Sequence, residues 1–325
     1  MISLQRRPWA ACFAVVVCVA VHGAAQAADT LPTGKSATGK PTTGDKPAAA
    51  EKQKLRYKFL PGETIRWQVE HRAQVRTTVG GTTQTAETFS GSIKVWQVSQ
   101  VAPNGDATFV HSVESVDMRQ KLTGRQEVTY NSATDAAPPP GFEDAAKSVG
   151  VPLSVITLDA RGGVVRREQK LAQPNTQAKM TLPLPEQAVA VGDQWDAPSD
   201  VDLPQKDGSV KKVKSRQRFT LTSIDGGVAT IHIETQVLTP IHDPGLEAQL
   251  IQLETQGDVQ VDIEKGRIIS QQTDLDRSVV GFQGDASSLH YVTRFAEKLL
   301  PQQPATATRP HRTTAGGAGK SSRAK

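Results

Sequence analysis

Cysteine is nearly absent from this chain. The 325 residues hold two, Cys12 and Cys18, and both fall within the first 27. A chain that loses those residues on export has no disulfide, no thiol nucleophile and no cysteine metal site. Long apolar runs are equally scarce. Mean hydropathy is −0.39, and one stretch alone, Trp9 to Val21, approaches the length of a membrane span. That excludes a multispan membrane protein. No Gly-x-Ser-x-Gly elbow, no Gly-x-x-x-x-Gly-Lys loop and no His-x-His or His-x-x-x-His spacing occurs. The standard signatures of serine hydrolases, phosphate cradles and helical zinc sites are therefore missing.

The first 27 residues read as a secretory signal peptide. Arg6-Arg7 forms the charged region, Trp9 to Val21 the apolar region, and Ala25-Gln26-Ala27 the small-x-small site. Cleavage is expected between Ala27 and Ala28. A retained anchor is the alternative, but the run is short for one. No convincing lipobox precedes Cys12 or Cys18. The protein is expected in the periplasm, the cell envelope or outside the cell.

The net charge is +5, and its location matters more than its size. Excess cations sit in residues 1–54 and 301–325, so the body between them is mildly acidic. A nucleic-acid surface clusters Lys and Arg on the fold itself, so no nucleic acid is expected as a partner. The basic C-terminal tail could touch anionic surfaces weakly. Residues 28–54 are mostly Ala, Thr, Gly, Lys and Pro, and 301–325 are similar. Both stretches are expected to be disordered, because they lack the large apolar residues that repay ordering.

Between the tails the dominant period is two. Ile93 to Val98, Arg218 to Leu221 and Val259 to Ile263 alternate into Gly-containing turns. These are strand and hairpin signals. Gly141 to Val149 and Asp243 to Gln252 read as short helices, with Asp243 as N-cap and Pro244 at the first helical position. Ser287 to Leu300 fits either period; the Gly284-Asp285 turn favours a strand.

Several segments recur in order. Pro61-Gly62-Glu63 with Trp67 matches Val191-Gly192-Asp193 with Trp195. Trp96, Val98 and Val101 match Phe219, Leu221 and Ile224. Gly105 to Phe109 matches Gly227 to Ile231, Pro140 to Glu143 matches Pro244 to Glu247, and Asp159 to Val165 resembles Asp262 to Ile268. The expected fold is mainly β, with two similar antiparallel halves, 55–172 and 182–300, joined by a connector at 173–181. Each half carries one short helix. The halves either share one core or form two half-barrels that each cup a helix over an apolar trough.

The chemistry-bearing residues are dispersed. His111 and His232 both follow a repeated turn, but the repeat sets His111 against Ile233. Asp200/Asp202 and Asp274/Asp276 stand two apart on strands and read as solvated faces. Gly80-Gly81, Gly162-Gly163 and Gly226-Gly227 read as turns. No catalytic, metal or cofactor residue is assigned, and no cofactor is expected. Trp67, Trp96, Trp195 and Phe219 have two readings, core aromatics or the walls of a ligand trough.

The stretches Leu55 to Glu63, Val116 to Gln120, Pro139 to Glu143, Val191 to Trp195 and Ser270 to Asp276 resemble an uncharacterised family of exported β-rich proteins, a domain of unknown function common in planctomycete-type bacteria. The resemblance covers about 55–300 and implies an envelope location. It carries over no functional residue. The function expected from all this is non-enzymatic: binding of an apolar ligand or lipid in a β trough. A structural or protein-interaction module without a pocket is the alternative, and an unrecognised hydrolase comes third.

Overall fold

A computed structural model describes residues 51–171, 181–205 and 208–302. The expected signal peptide and its expected Ala27/Ala28 cleavage site, both cysteines, most of the expected linker and connector, and the tail beyond residue 302 lie outside the described residues.

The first half runs β1 (Thr64–Val79), β2 (Thr82–Val101), β3 (Ala107–Leu122), β4 (Val128–Asn131), α1 (Glu143–Ser148), β5 (Pro152–Leu158) and β6 (Val164–Gln169). The second runs β7 (Gln194–Pro198), β8 (Val201–Pro204), β9 (Val210–Val213), β10 (Ser215–Asp225) and β11 (Val228–Val237). It continues through α2 (Pro244–Leu250), a 3-10 turn (Ile251–Leu253), β12 (Gln256–Asp262), β13 (Arg267–Val280) and β14 (Ser287–Leu299). The fold is mainly β, as its alternation predicts, and Ser287 onward is a strand.

One antiparallel sheet has the order β6-β5-β3-β2-β1-β14-β13-β12-β11-β10-β7, with β4 added on β3; β8 and β9 form a separate hairpin. Gly80-Gly81 and Gly226-Gly227 close two of its hairpins with positive φ at both positions. That is the conformation two-residue hairpin loops demand. The centre of the sheet is the pair β1 and β14, from opposite ends of the chain. Trp67 lies opposite Leu299 and Arg72 opposite Arg294.

Side chains alternate between faces, and the two faces differ sharply. Ile65 and Trp67 on β1, Trp96 and Val98 on β2 and Phe109 on β3 are buried on one face. Ile156, Phe219, Ile231 and Val259 join them in a single cluster. This core draws on strands from both halves, so the halves share it. They are not separate half-barrels.

The core is closed by extended segments that belong to no strand. Leu55, Tyr57 and Phe59 alternate into it from one, and Leu182, Leu184 and Val189 from another. Tyr57 N–H donates to Ala160 O in the β5–β6 turn (2.8 Å), and Lys58 N–H donates to Gly266 O in the β12–β13 turn (3.0 Å). Successive amides of an extended strap point opposite ways. Two turns far apart in the strand order therefore flank the same strap, and the sheet must curl around it. Gly162 and Gly266 allow the fit: a Cβ would lie 2.6 Å from the Tyr57 ring at Gly162 and 2.5 Å from Arg56 O at Gly266. Arg267 pins the strap from the side through Glu63 (3.0 Å). Ordered structure also extends into the expected linker. Gln53, expected in the linker, exchanges two backbone hydrogen bonds with Val189.

Both expected helices are present, and neither lies over an open trough. α1 packs on Val116, Met118 and Tyr130 through Phe142 and its own alanines. In α2 the Asp243 carboxylate accepts from the Gly245 and Leu246 amides (2.6 and 3.2 Å), as an N-cap should. Leu246 and Leu250 pack on Val201, Leu203 and Val213 of the β8–β9 hairpin, while Ala248 and Ile251 cover Val279 and Leu289.

Some of the repeated segments share local geometry. Gly62 N–H donates to Val98 O while Val98 N–H donates to Glu63 O; Gly192 and Asp193 make the same exchange with Leu221. The likeness is local. The β8–β9 hairpin has no counterpart in the first half, and an internal repeat of whole halves is not established.

Candidate binding cleft

The face opposite the aromatic core carries a row of directly paired residues. Following the register outward from β1, Arg72 faces Phe89, which faces Arg119. In the other direction Arg72 faces Arg294, then Asp274, Gln256 and Glu234 follow strand by strand. Paired residues of antiparallel strands share a face, so these seven lie side by side. All seven line one cleft of about 1210 Å³. Its neighbours on the same face include Gln74, Glu87, Asp258 and Asp276. Seven strands at about 4.8 Å spacing give it a length of roughly 30 Å.

Charge divides along the row. Arg119, Arg72 and Arg294 occupy the β3–β14 flank, where Glu87 and Glu127 also line the cleft, and Asp274, Asp276, Asp258 and Glu234 the β13–β11 flank, which Arg277 joins. Phe89 organises the cationic side. Its ring lies over Gly91, where a Cβ would stand 3.2 Å from the ring tip. The Arg72 and Arg119 guanidiniums sit 4.4 and 5.1 Å from the ring centroid. Cation–π contact of this kind holds two otherwise mobile cations in place. Arg72 also reaches Glu70 (3.2 Å) and Arg119 reaches Asp117 (3.1 Å).

On the acidic side, burial works to raise the Asp274 carboxyl, but hydrogen bonds from Arg294 (2.5 Å) and Gln272 (2.7 Å) hold it below the usual carboxylate range. His232 pairs with Asp258 (2.9 Å) and His290 with Asp276 (2.7 Å). Glu254, at the inner rim, is pushed upward by burial first, against Arg277 at 3.2 Å. Among the described residues no three His, Cys, Asp or Glu side chains converge as metal ligands would.

The aromatics singled out in the sequence lie elsewhere. Trp67, Trp96 and Phe219 are almost fully buried in the shared core, and Trp195 packs against it. The Trp67 and Trp96 rings meet edge-on at 4.8 Å, and Trp195 stacks on Phe219 at 5.6 Å. Trp67 and Trp195 satisfy their indole N–H on Ile268 O and Pro183 O. None of the four lines the cleft. The space expected as a trough is filled by the strap residues Tyr57 and Phe59, at the start of the expected first half.

The core face has its own charged feature. Lys94 lies over Trp67 and Trp96, at 4.5 and 5.0 Å from their centroids. Its ammonium pairs with Glu297, and Gln271 hydrogen-bonds the same carboxylate. His111, opposite Trp96 in the register, lies half-buried beside this group. Burial first, then the positive charges of Lys94 and Arg167, push its pKa down to about 3. His111 and His232 therefore lie on opposite faces and do not act together. Asp200 accepts the Ser215 amide (3.3 Å) and takes no part in the cleft.

Sequence reading missed Arg72, Phe89, Arg119 and Arg294. Each looks like an ordinary outward residue of an alternating strand. The β1–β2–β3 register aligns the first three, and the pairing of β1 with β14 adds Arg294.

No protein-family model matches the chain, and no curated protein is similar to it in sequence. Among solved structures it is similar to lipovitellin, in a structure titled for lipid–protein interactions, at 11% identity and a TM-score of 0.42; the match covers 78% of this chain. The chain spans 27% of the lipovitellin chain's length. It is also similar to DynF from the dynemicin biosynthesis pathway of Micromonospora chersina (8% identity, TM-score 0.20, covering 80% of this chain and 92% of that one). A DUF1329 family protein from Desulfovibrio piger matches at 11% identity and a TM-score of 0.14, covering 70% of this chain and 83% of that one. At these values the likenesses assign neither family nor activity.

Proposed function

We propose that this chain is an exported, non-enzymatic β scaffold of the cell envelope that binds an envelope component, a lipid foremost, by its polar groups. The binding surface is the charged cleft. One observation carries this reading: the seven paired residues from Arg119 to Glu234 line a single concavity, while the aromatics that a trough for lipid chains would need are packed in the core. A lipid is then held by its head and not by its tails.

Native mass spectrometry of the chain purified from its own envelope tests the reading. The expected result is a reproducible added mass, lost in the double variant Arg72→Ser/Arg119→Ser. A bare mass for the parent chain, unchanged after exposure to envelope lipids, contradicts it.

A protein-interaction module is the second reading, favoured by β6 at the end of the sheet. Among the described residues that strand pairs only with β5, and Val164 and Val165 at its start are 48% and 59% exposed. An edge strand with exposed valines is a template for an added strand.

A further inference from the structure

The charge division of the cleft narrows the chemistry of what it binds. This inference rests on the reading of the cleft as the binding surface. A pure polyanion laid along the row meets Asp274, Asp258, Asp276 and Glu234. A pure polycation meets Arg119, Arg72 and Arg294. Only a group that carries both signs, in the right order, is favoured along the row.

The centre of the row fixes the spacing. Arg72 stands directly opposite Arg294, and like charges directly opposed across strands destabilise a sheet. The two cations lean apart, Arg72 toward Glu70 and Phe89, Arg294 toward Asp274. Arg119, two strands beyond Arg72, lies 5.1 Å from the centroid of the same Phe89 ring and pairs with Asp117. An anion between Arg72 and Arg294 relieves the repulsion and accepts charge-assisted hydrogen bonds from guanidiniums already held in place. The next strand, β13, is one sheet spacing away, about 4.8 Å. There Asp276 presents a carboxylate whose charge suits an ammonium.

We propose that the cleft binds a phosphate–amine zwitterion. The phosphate sits between Arg72 and Arg294, and the primary amine faces Asp276. Phosphoethanolamine has this chemistry, either as a free molecule or as the head of a phospholipid. His290, which now partners Asp276, is the group the amine displaces or joins.

Calorimetric titration of the full exported chain tests this with four probes: O-phosphoethanolamine, inorganic phosphate, ethanolamine, and phosphatidylcholine vesicles with and without phosphatidylethanolamine. The expected result is binding of O-phosphoethanolamine about tenfold or more tighter than inorganic phosphate, with ethanolamine weaker still. Binding of the soluble probe identifies the free molecule as sufficient. Binding only to the phosphatidylethanolamine vesicles identifies the lipid head. Arg72→Gln/Arg294→Gln and Asp276→Asn should each weaken the zwitterion about tenfold, and the aspartate variant should leave phosphate binding unchanged or stronger. Phosphate binding as tight as the zwitterion overturns the proposal, as does no binding to any probe. A native ligand of other chemistry that depends on Arg72 and Arg119 also overturns it while leaving the cleft as the binding surface.

Discussion

Lys94 reaches across β1 to pair with Glu297 on β14, passing over the indoles of Trp67 and Trp96 on the way. The pair is nearly removed from water; Glu297 is 5% exposed. Breaking such a pair from one side strands a charge in the interior. Lys94→Met should therefore cost about 3–5 kcal/mol. Lys94→Met combined with Glu297→Leu should recover most of that loss, because two apolar groups replace two desolvated charges. Urea denaturation of the three chains measures both. A double variant as unstable as the single one would show that the pair itself, and not the stranded carboxylate, matters.

His111 gives the fold a pH dependence of known sign. Its pKa is depressed to about 3, against an ordinary value near 6.5. The unfolded chain takes up a proton between those values and the folded chain does not. The contribution is complete above about pH 6.5 and is lost as pH falls toward 3. By pH 4 the loss is about 3 kcal/mol. His71, also lowered by burial, acts in the same direction. Comparing the denaturation midpoints of the parent chain and His111→Gln from pH 7 to pH 4 isolates the His111 share. Parallel profiles would contradict its burial as a neutral imidazole.

The strap at 55–60 should be sensitive to single methyl groups beneath it. Gly266→Ala places a Cβ 2.5 Å from Arg56 O, at a φ of +58°. A loss of about 2–3 kcal/mol is expected, combining backbone strain with the clash. Gly124→Ala is the control. Its φ is +74°, but nothing lies within 4 Å, so about 1 kcal/mol is expected from the backbone alone. Equal losses would mean that the strap does not press on the β12–β13 turn.

The Asp243 cap should be worth an ordinary amount. Its carboxylate serves two amides at the start of α2. Asp243→Ala should cost about 1 kcal/mol, and Asp243→Asn much less. Chemical denaturation separates the two.

These elements were not equally legible in the sequence. The alternation at Ile93 to Val98 and Val259 to Ile263 marks β2 and β12 because a half-buried strand needs nothing but period two. Asp243-Pro244 marks α2 because capping is local chemistry. The strap was half visible. Leu55, Tyr57 and Phe59 alternate, but Gln53 joins through its backbone and leaves no side-chain signal. The trough reading of Trp67, Trp96, Trp195 and Phe219 was open because a sequence does not say what fills the space beside an aromatic. Tyr57, Phe59 and Leu182 fill it. The cleft was invisible for a different reason. Arg72 and Arg294 belong to opposite ends of the chain, and only the register between β1 and β14 sets one against the other.

Hydrogen exchange of the full exported chain, with and without the polar lipids of its own envelope, tests the role of the cleft most directly. Protection should appear in the row that crosses the sheet: residues 72–74, 87–89, 119–121 and 292–294. It should vanish in Arg72→Ser/Arg119→Ser. Protection confined to the edge strand β6 at Val164 and Val165, or none anywhere, would contradict the cleft as the binding surface.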